Sequence, residues 1–250
     1  MFNRLIAIIY MLFMAVSSAM LFVLCLAVWL LTVLVDRRLV LLHKLTCFWG
    51  ALYVWLLPFW RLRIEQKQKF ATDKTYVVVA NHQSQLDILI SFCLFRHFKW
   101  VSKAEIFKVP FIGWNMALNR YIRLRRGQPD SVRQMYADCN STLDSGSSIF
   151  MFPEGTRSLR GEPGNFKPGA FIMAKNAGVP ILPVAIHGTR DALPKQSMNF
   201  HGRQQMVIRV LDEISADEVE RCDPKELADK VRQRIVDALV DMGEAQSSAK

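Results

Sequence analysis

The chain opens on a run from Leu5 to Val35, 31 residues in which no side chain carries a charge. Such a run predicts a helix roughly 46 Å long, against about 30 Å of bilayer hydrocarbon. It spans with tilt or extends past the apolar core. It is far longer than the apolar part of a secretory signal. Ser17, Ser18 and Ala19 sit in its middle with no polar stretch after them, which argues against a cleaved leader. A second apolar stretch, Leu45 to Trp60, follows Arg37, Arg38, His43 and Lys44. At about 24 Å it is short for a span. Its aromatic residues (Phe48, Trp49, Tyr53, Trp55, Phe59, Trp60) suit an interfacial or re-entrant segment. Residues 1–60 are therefore expected to anchor the chain in a membrane, crossing once, crossing twice or dipping into one leaflet.

From Thr75 the pattern changes to short β-rich runs alternating with longer amphipathic ones. Strands are expected near Arg63–Glu65, Thr75–Ala80, Lys99–Ser102, Tyr121–Leu124, Ser148–Phe152, Ile181–Ile186 and Met206–Val210. Helices are expected near Ser84–Phe95, Gly113–Leu118, Asp130–Asp144, Gly169–Asn176 and Lys225–Met242. This alternation predicts an α/β domain over 61–250, with a mixed, largely parallel sheet flanked by helices. The last helix is the clearest. Asp223 caps it, Pro224 opens it, Glu226 completes a capping box, Leu227, Val231, Ile235 and Leu239 share a face, and Gly243 is expected to end it.

Charge sharpens the picture. The 250 residues are 51% hydrophobic with a net charge of +10, but residues 61–135 alone carry +9 and residues 211–250 carry −5. The basic block follows directly on the apolar segments, where each Lys or Arg near an anionic leaflet contributes roughly 1 kcal/mol. Disorder and collagen are excluded by composition. Nucleic acid is not an expected partner, since neither a zinc finger, a helix-turn-helix nor a basic–aromatic sheet face is apparent. None of the five cysteines forms a Cys-x-x-Cys pair, so neither a disulfide framework nor a zinc site is expected, and the domain should face a reducing compartment.

Two loops carry candidate chemistry. The apolar run Val77–Ala80 leads into Asn81-His82-Gln83-Ser84-Gln85-Leu86-Asp87, at the carboxyl end of a strand where α/β folds place their sites. On one regular helix His82 and Asp87 would point about 140° apart, so they meet only with His82 on the turn and Asp87 in the first helical turn. Ser84-x-x-Asp87 is also a capping box, and spacing alone leaves Asp87 open between capping and catalysis. After Ser148–Phe152 comes Pro153-Glu154-Gly155-Thr156-Arg157-Ser158, in which Gly155 permits close backbone approach and Arg157 offers a fork for a phosphate. Alone, this segment also reads as an ordinary surface turn.

In combination, these blocks resemble the glycerolipid acyltransferase family. Lys103 with Val109-Pro110-Phe111-Ile112-Gly113-Trp114 and Ile122-Arg123-Leu124-Arg125-Arg126-Gly127 is similar to that family's second block. Val179-Pro180-Ile181-Leu182-Pro183-Val184 is similar to its fourth. The resemblance covers about residues 75–190. Arg125 stands where many members carry an acidic residue, and Arg120 where a small one is common. The resemblance implies transfer of a fatty acyl group from acyl-CoA or acyl-carrier protein to lysophosphatidate, with no metal and no cofactor. His82 would be the general base and Asp87 its orienting partner. Glu154, Gly155, Thr156 and Arg157 would bind the acceptor together with Arg126, Lys103 and, more weakly, Lys167. Arg123 and Arg125 are the alternative registers for Arg126. Another lysophospholipid or glycerol-3-phosphate is the alternative acceptor, and a catalytically idle lipid-binding protein the alternative of another class. Membrane lipids are the expected partners, and a bacterial inner membrane, with the domain on its cytoplasmic side, the expected location.

Overall fold

In the computed structural model, which describes residues 2–158, 162–193 and 203–247, the two apolar stretches become helices α1 (Phe2–Thr32) and α2 (Val40–Trp55). There follow β1 (Trp60–Glu65), β2 (Val77–Ala80), α3 (Leu86–Phe92), β3 (Phe98–Lys103), α4 (Ile112–Leu118) and β4 (Ile122–Leu124). Then come α5 (Pro129–Asp144), β5 (Ser148–Met151), α6 (Gly169–Asn176), β6 (Ile181–His187) and α7 (Thr189–Ala192). β7 (Gln204–Val210), α8 (Ala216–Arg221) and α9 (Pro224–Ser247) complete the described elements. Each of the seven expected strands is present. They form one sheet in the order β1-β7-β6-β2-β5-β3-β4, parallel throughout except between β6 and β7.

β2 is central, and all four of its residues are buried, which is why it reads as an unbroken apolar run. Its side chains alternate between two cores. Val78 and Ala80 join Cys47, Ala51 and Val54 of α2 and Leu86, Ile90 and Phe92 of α3. Val77 and Val79 join Met135 and Cys139 of α5, Phe171 and Met173 of α6, and Val231 and Ile235 of α9. The period-two alternation of a strand thus supplies both layers.

Several boundaries differ from expectation for identifiable reasons. α9 continues through Gly243 to Ser247, because Met242 is buried one turn beyond Leu239 and keeps the helix docked. Asp223 caps it as expected, its Oδ1 accepting from the N–H groups of Lys225 (2.8 Å) and Glu226 (3.2 Å). α7 and α8, four and six residues long, are too short to show a helical period.

α2 starts at Val40 and buries nine of its residues, Trp49 and Tyr53 among them. α1 lies along it. The Tyr53 hydroxyl sits among Ser17 Oγ (2.9 Å), Ser18 Oγ (3.0 Å), Trp49 Nε1 (3.0 Å) and the carbonyl of Met14 (3.2 Å). Phe22 packs on Phe111 and Trp114 at the head of α4. Among the described residues, one helix is long and apolar enough to cross a membrane, Ile8–Thr32, by length and composition.

Candidate active site

β2, β3, β4, β5 and β6 run parallel to one another, so their carboxyl ends lie on one edge of the sheet. The turn after β2 carries His82, and α3 carries Asp87 in its first turn. His82 Nδ1 lies 2.7 Å from Asp87 Oδ2; the carboxylate is fully buried, while the imidazole keeps 15% of its surface exposed. Oδ2 also accepts from the backbone N–H groups of Gln83 (2.6 Å) and Ser84 (2.8 Å). Oδ1 accepts from Thr189 Oγ1 at 2.5 Å. Asp87 therefore fills both roles that its spacing left open, tying down the turn ahead of α3 and holding the imidazole. Ser84 Oγ donates to the Leu193 carbonyl at 2.7 Å and accepts from the N–H of Leu86 at 3.3 Å, and the residue at the cap position is Gln85, already helical.

The ring of His82 is fixed in its plane as well. Phe152, just past β5, stacks on it at 4.0 Å with 9° between the planes, and is itself stacked on Trp100 of β3. With Nδ1–H donated to Asp87, Nε2 keeps the lone pair that a general base needs.

Residues 152–158 hold the His82 backbone at both polar groups. Glu154 Oε1 accepts from the His82 N–H at 2.7 Å, and Ser158 N–H donates to the His82 carbonyl at 2.8 Å. Glu154 Oε2 accepts from Gly164 N–H at 2.8 Å. Burial pushes the Glu154 carboxyl up, against the pull of these amides and of His82 and with added repulsion from Asp87. Gly155 has φ +71°, and a Cβ there would stand 3.2 Å from Lys167 Nζ, so the ammonium lies directly over the glycine. Thr156 is exposed and Arg157 half-buried on the same turn.

Two further basic candidates lie across β5 from His82. Lys103 ends β3 and Arg126 follows β4, about 10 and 14 Å from β2 at the usual strand spacing. The three arginines of this block are all exposed: Arg123 sits over the Phe107 ring at 4.7 Å, the backbone N–H of Arg125 donates to Ser131 Oγ at 2.9 Å, and Arg126 has Glu105 as its acidic neighbour.

Sequence reading missed Thr189, which reaches Asp87 from 102 residues away. It also missed Asn81, whose side chain bonds both the N–H (2.8 Å) and the carbonyl (2.9 Å) of Ile186 and locks β2 to β6. The available signal was positional. Gly188 and Thr189 follow a strand end, but nothing in the chain says that β6 lies beside β2. Gly188 is obligatory in its place, with φ +80° and the Gln205 carbonyl oxygen 2.2 Å from where a Cβ would be.

Residues 61–187 match a family model described as Acyltransferase. The chain is 37% identical over 169 residues to the chloroplastic 1-acyl-sn-glycerol-3-phosphate acyltransferase LPAT1 of Arabidopsis thaliana, covering 66% of this chain and 47% of that one. It is 35% identical over 138 residues to a 1-acyl-sn-glycerol-3-phosphate acyltransferase of Pseudomonas aeruginosa, covering 54% and 53%. The chain spans about half the length of these curated relatives. The fold is similar to that of the crystal structure of PlsC, the 1-acyl-sn-glycerophosphate (LPA) acyltransferase of Thermotoga maritima. The TM-score is 0.78 at 22% identity, covering 96% of this chain and 98% of that one. With a matched region running from β1 to the end of β6 and enclosing His82, Asp87 and the 152–158 turn, the chain belongs to the acyltransferase family.

Proposed function

We propose that the chain transfers a fatty acyl group from an acyl thioester, either acyl-CoA or acyl-carrier protein, to the free hydroxyl of lysophosphatidate, giving phosphatidate. The observation that carries this reading is the 2.7 Å contact from His82 Nδ1 to a fully buried Asp87 carboxylate. A glycerol hydroxyl is a poor nucleophile at neutral pH, and a carboxylate-held imidazole removes its proton as attack occurs. The hydroxyl oxygen bonds to the thioester carbonyl carbon while its proton passes to His82 Nε2. The tetrahedral intermediate then expels the sulfur, which takes the proton back from Nε2. One C–O bond forms, one C–S bond breaks, and His82 is regenerated. Asp87 stabilises the transient imidazolium, and Phe152 keeps the ring in plane.

Arg157 and Arg126 supply guanidinium forks for the acceptor's phosphate, with Lys103 and then Lys167 as further cations. Glu154, Gly155 and Thr156 shape the turn that receives the acceptor. The names of the relatives support this choice of substrate. Residues 1–60 provide the membrane anchor and 61–250 the chemistry. The proposed location is a bacterial inner membrane with the domain in the cytoplasm, a reducing setting that suits five free cysteines.

The test is the purified full chain with labelled lysophosphatidate, each donor in turn, and glycerol-3-phosphate or another lysophospholipid as competing acceptor. Labelled phosphatidate with one thiol released per acyl group is expected. Thiol release without lipid product, or preference for a competing acceptor, overturns the assignment.

A further inference from the structure

At the edge of the sheet away from His82, the amino ends of β3, β4 and β5 meet the connection between α1 and α2. Cations gather there: Arg37, Arg38, Lys44 and Arg120 are exposed and Lys99 is buried on β3, with the neutral His97 half-buried beside it. Arg120 donates to the Arg37 carbonyl at 3.4 Å. Arg38 reaches across Gly146, where a Cβ would be 3.6 Å from its Nη1. Lys99 Nζ donates to the Asn119 carbonyl at 2.9 Å, and His97 Nε2 meets Ser147 Oγ at 3.1 Å.

Opposite charge is scarce. Asp36 is the one carboxylate whose charge acts on Lys99 or His97, among the described residues, and its Oδ2 already accepts from Leu41 N–H at 2.8 Å. Burial, with help from Arg120 and Arg38, holds the Lys99 ammonium down to about 7. The His97 imidazole is lowered to about 3, by burial first and then by Lys99 and Arg38, and its buried Nδ1 has no hydrogen-bond partner. The cluster is thus short of an anion.

Its position says which anion. Leu31, Leu34 and Val35, all more than four-fifths exposed, lead straight into Arg37 and Arg38. A surface that passes within three residues from bare hydrocarbon to guanidinium matches the step from acyl chain to headgroup in a lipid leaflet. We propose that Arg38, Lys44 and Arg120, backed by Lys99, bind the phosphate of an anionic membrane lipid, at the end of the sheet opposite His82. The site is independent of the acyl-transfer reading, since none of these residues is part of the catalytic or acceptor-binding machinery.

The test is native mass spectrometry of the full chain in neutral detergent with equal phosphatidylglycerol and phosphatidylcholine. The wild type should retain the anionic lipid. The double variant Arg38→Ala, Arg120→Ala should lose that preference by about thirtyfold, from two juxtamembrane cations, with turnover in neutral detergent unchanged. The control pair Arg221→Ala, Lys225→Ala removes the same charge from exposed positions on α8 and α9 and should keep the preference. Lys99→Met should weaken it without lowering the unfolding midpoint, because an apolar replacement relieves a buried charge. Equal loss in the control pair, an unchanged preference in the Arg38–Arg120 variant, or release of the lipid by excess inorganic phosphate overturns the proposal. If the alanine pair fails to fold, Arg38→Gln with Arg120→Gln reads the same preference with the side-chain bulk kept.

Discussion

Thr189→Val removes one hydroxyl from the site and almost nothing else. Thr189 is fully buried, and valine replaces its Oγ1 with a methyl of similar size. What is lost is the 2.5 Å hydrogen bond to Asp87 Oδ1, leaving that oxygen without its one described donor while Oδ2 keeps three. A hydrogen bond to a charged, buried group contributes about 1.5–3 kcal/mol, a factor of roughly 10–150 if all of it falls on the reaction. The carboxylate can tilt toward water or toward its remaining donors, and either movement shifts the acceptor of the His82 proton. The expected result is a fall in kcat of about ten- to a hundredfold, with KM for acceptor and donor nearly unchanged. Thr189→Ser, which keeps the oxygen, should recover most of the loss. The assay is steady-state acyl transfer well below the unfolding midpoint, with saturation curves in each substrate. Wild-type kcat in the valine variant would refute the reasoning, as would a loss that serine does not rescue.

His82→Ala should cost about 10²- to 10⁴-fold in turnover while circular dichroism shows a folded chain, and retention of a tenth of the activity would remove His82 as base. Arg157→Ala should raise KM for lysophosphatidate about ten- to a hundredfold with little change for the donor; equal losses for both substrates would count against a phosphate contact. Glu154→Gln replaces one acceptor oxygen with an amide that faces a backbone N–H, so activity should drop with the His82 turn. Because burial raises the Glu154 carboxyl, its contribution to stability is fully present below the ordinary 4.5 and lost as pH climbs through the raised value. The wild type's stability margin over Glu154→Gln should accordingly shrink with rising pH, read from denaturant melts; a margin that grows would contradict the sign.

The sheet was legible because its strands announce themselves locally. Val77–Ala80 is apolar on both faces, and Ile181–Ile186 repeats the pattern. His82 and Asp87 were legible because both lie within a few residues of one strand end. Strand order was not legible, and the hidden parts of the site follow from it. Thr189 meets Asp87 only because β6 pairs with β2, and Phe152 lies flat on His82 only because β5 pairs with β2 on the other side. Where the three arginines come to lie was not legible from spacing, since the ring of Phe107 that Arg123 covers lies sixteen residues away. The continuation of α9 past Gly243 escaped because glycine marks a helix end only where no further burial holds the chain.

The cluster of hydroxyls around Tyr53 bears on how the protein can be produced. α1 is fastened along α2 by polar contacts inside an apolar seam, and α2 shares the main core through Cys47, Ala51, Val54 and Leu57. A soluble version made by cutting before Val40 would keep that core but bare Leu42, Trp49 and Tyr53 to water, since these pack against α1. Such a truncation calls for polar replacements on the α1-facing side of α2, and detergent mixed with the intact chain should be chosen to leave the seam closed. Tyr53→Phe offers a gentler handle, loosening the seam without opening it and making extraction from the bilayer the property that changes first.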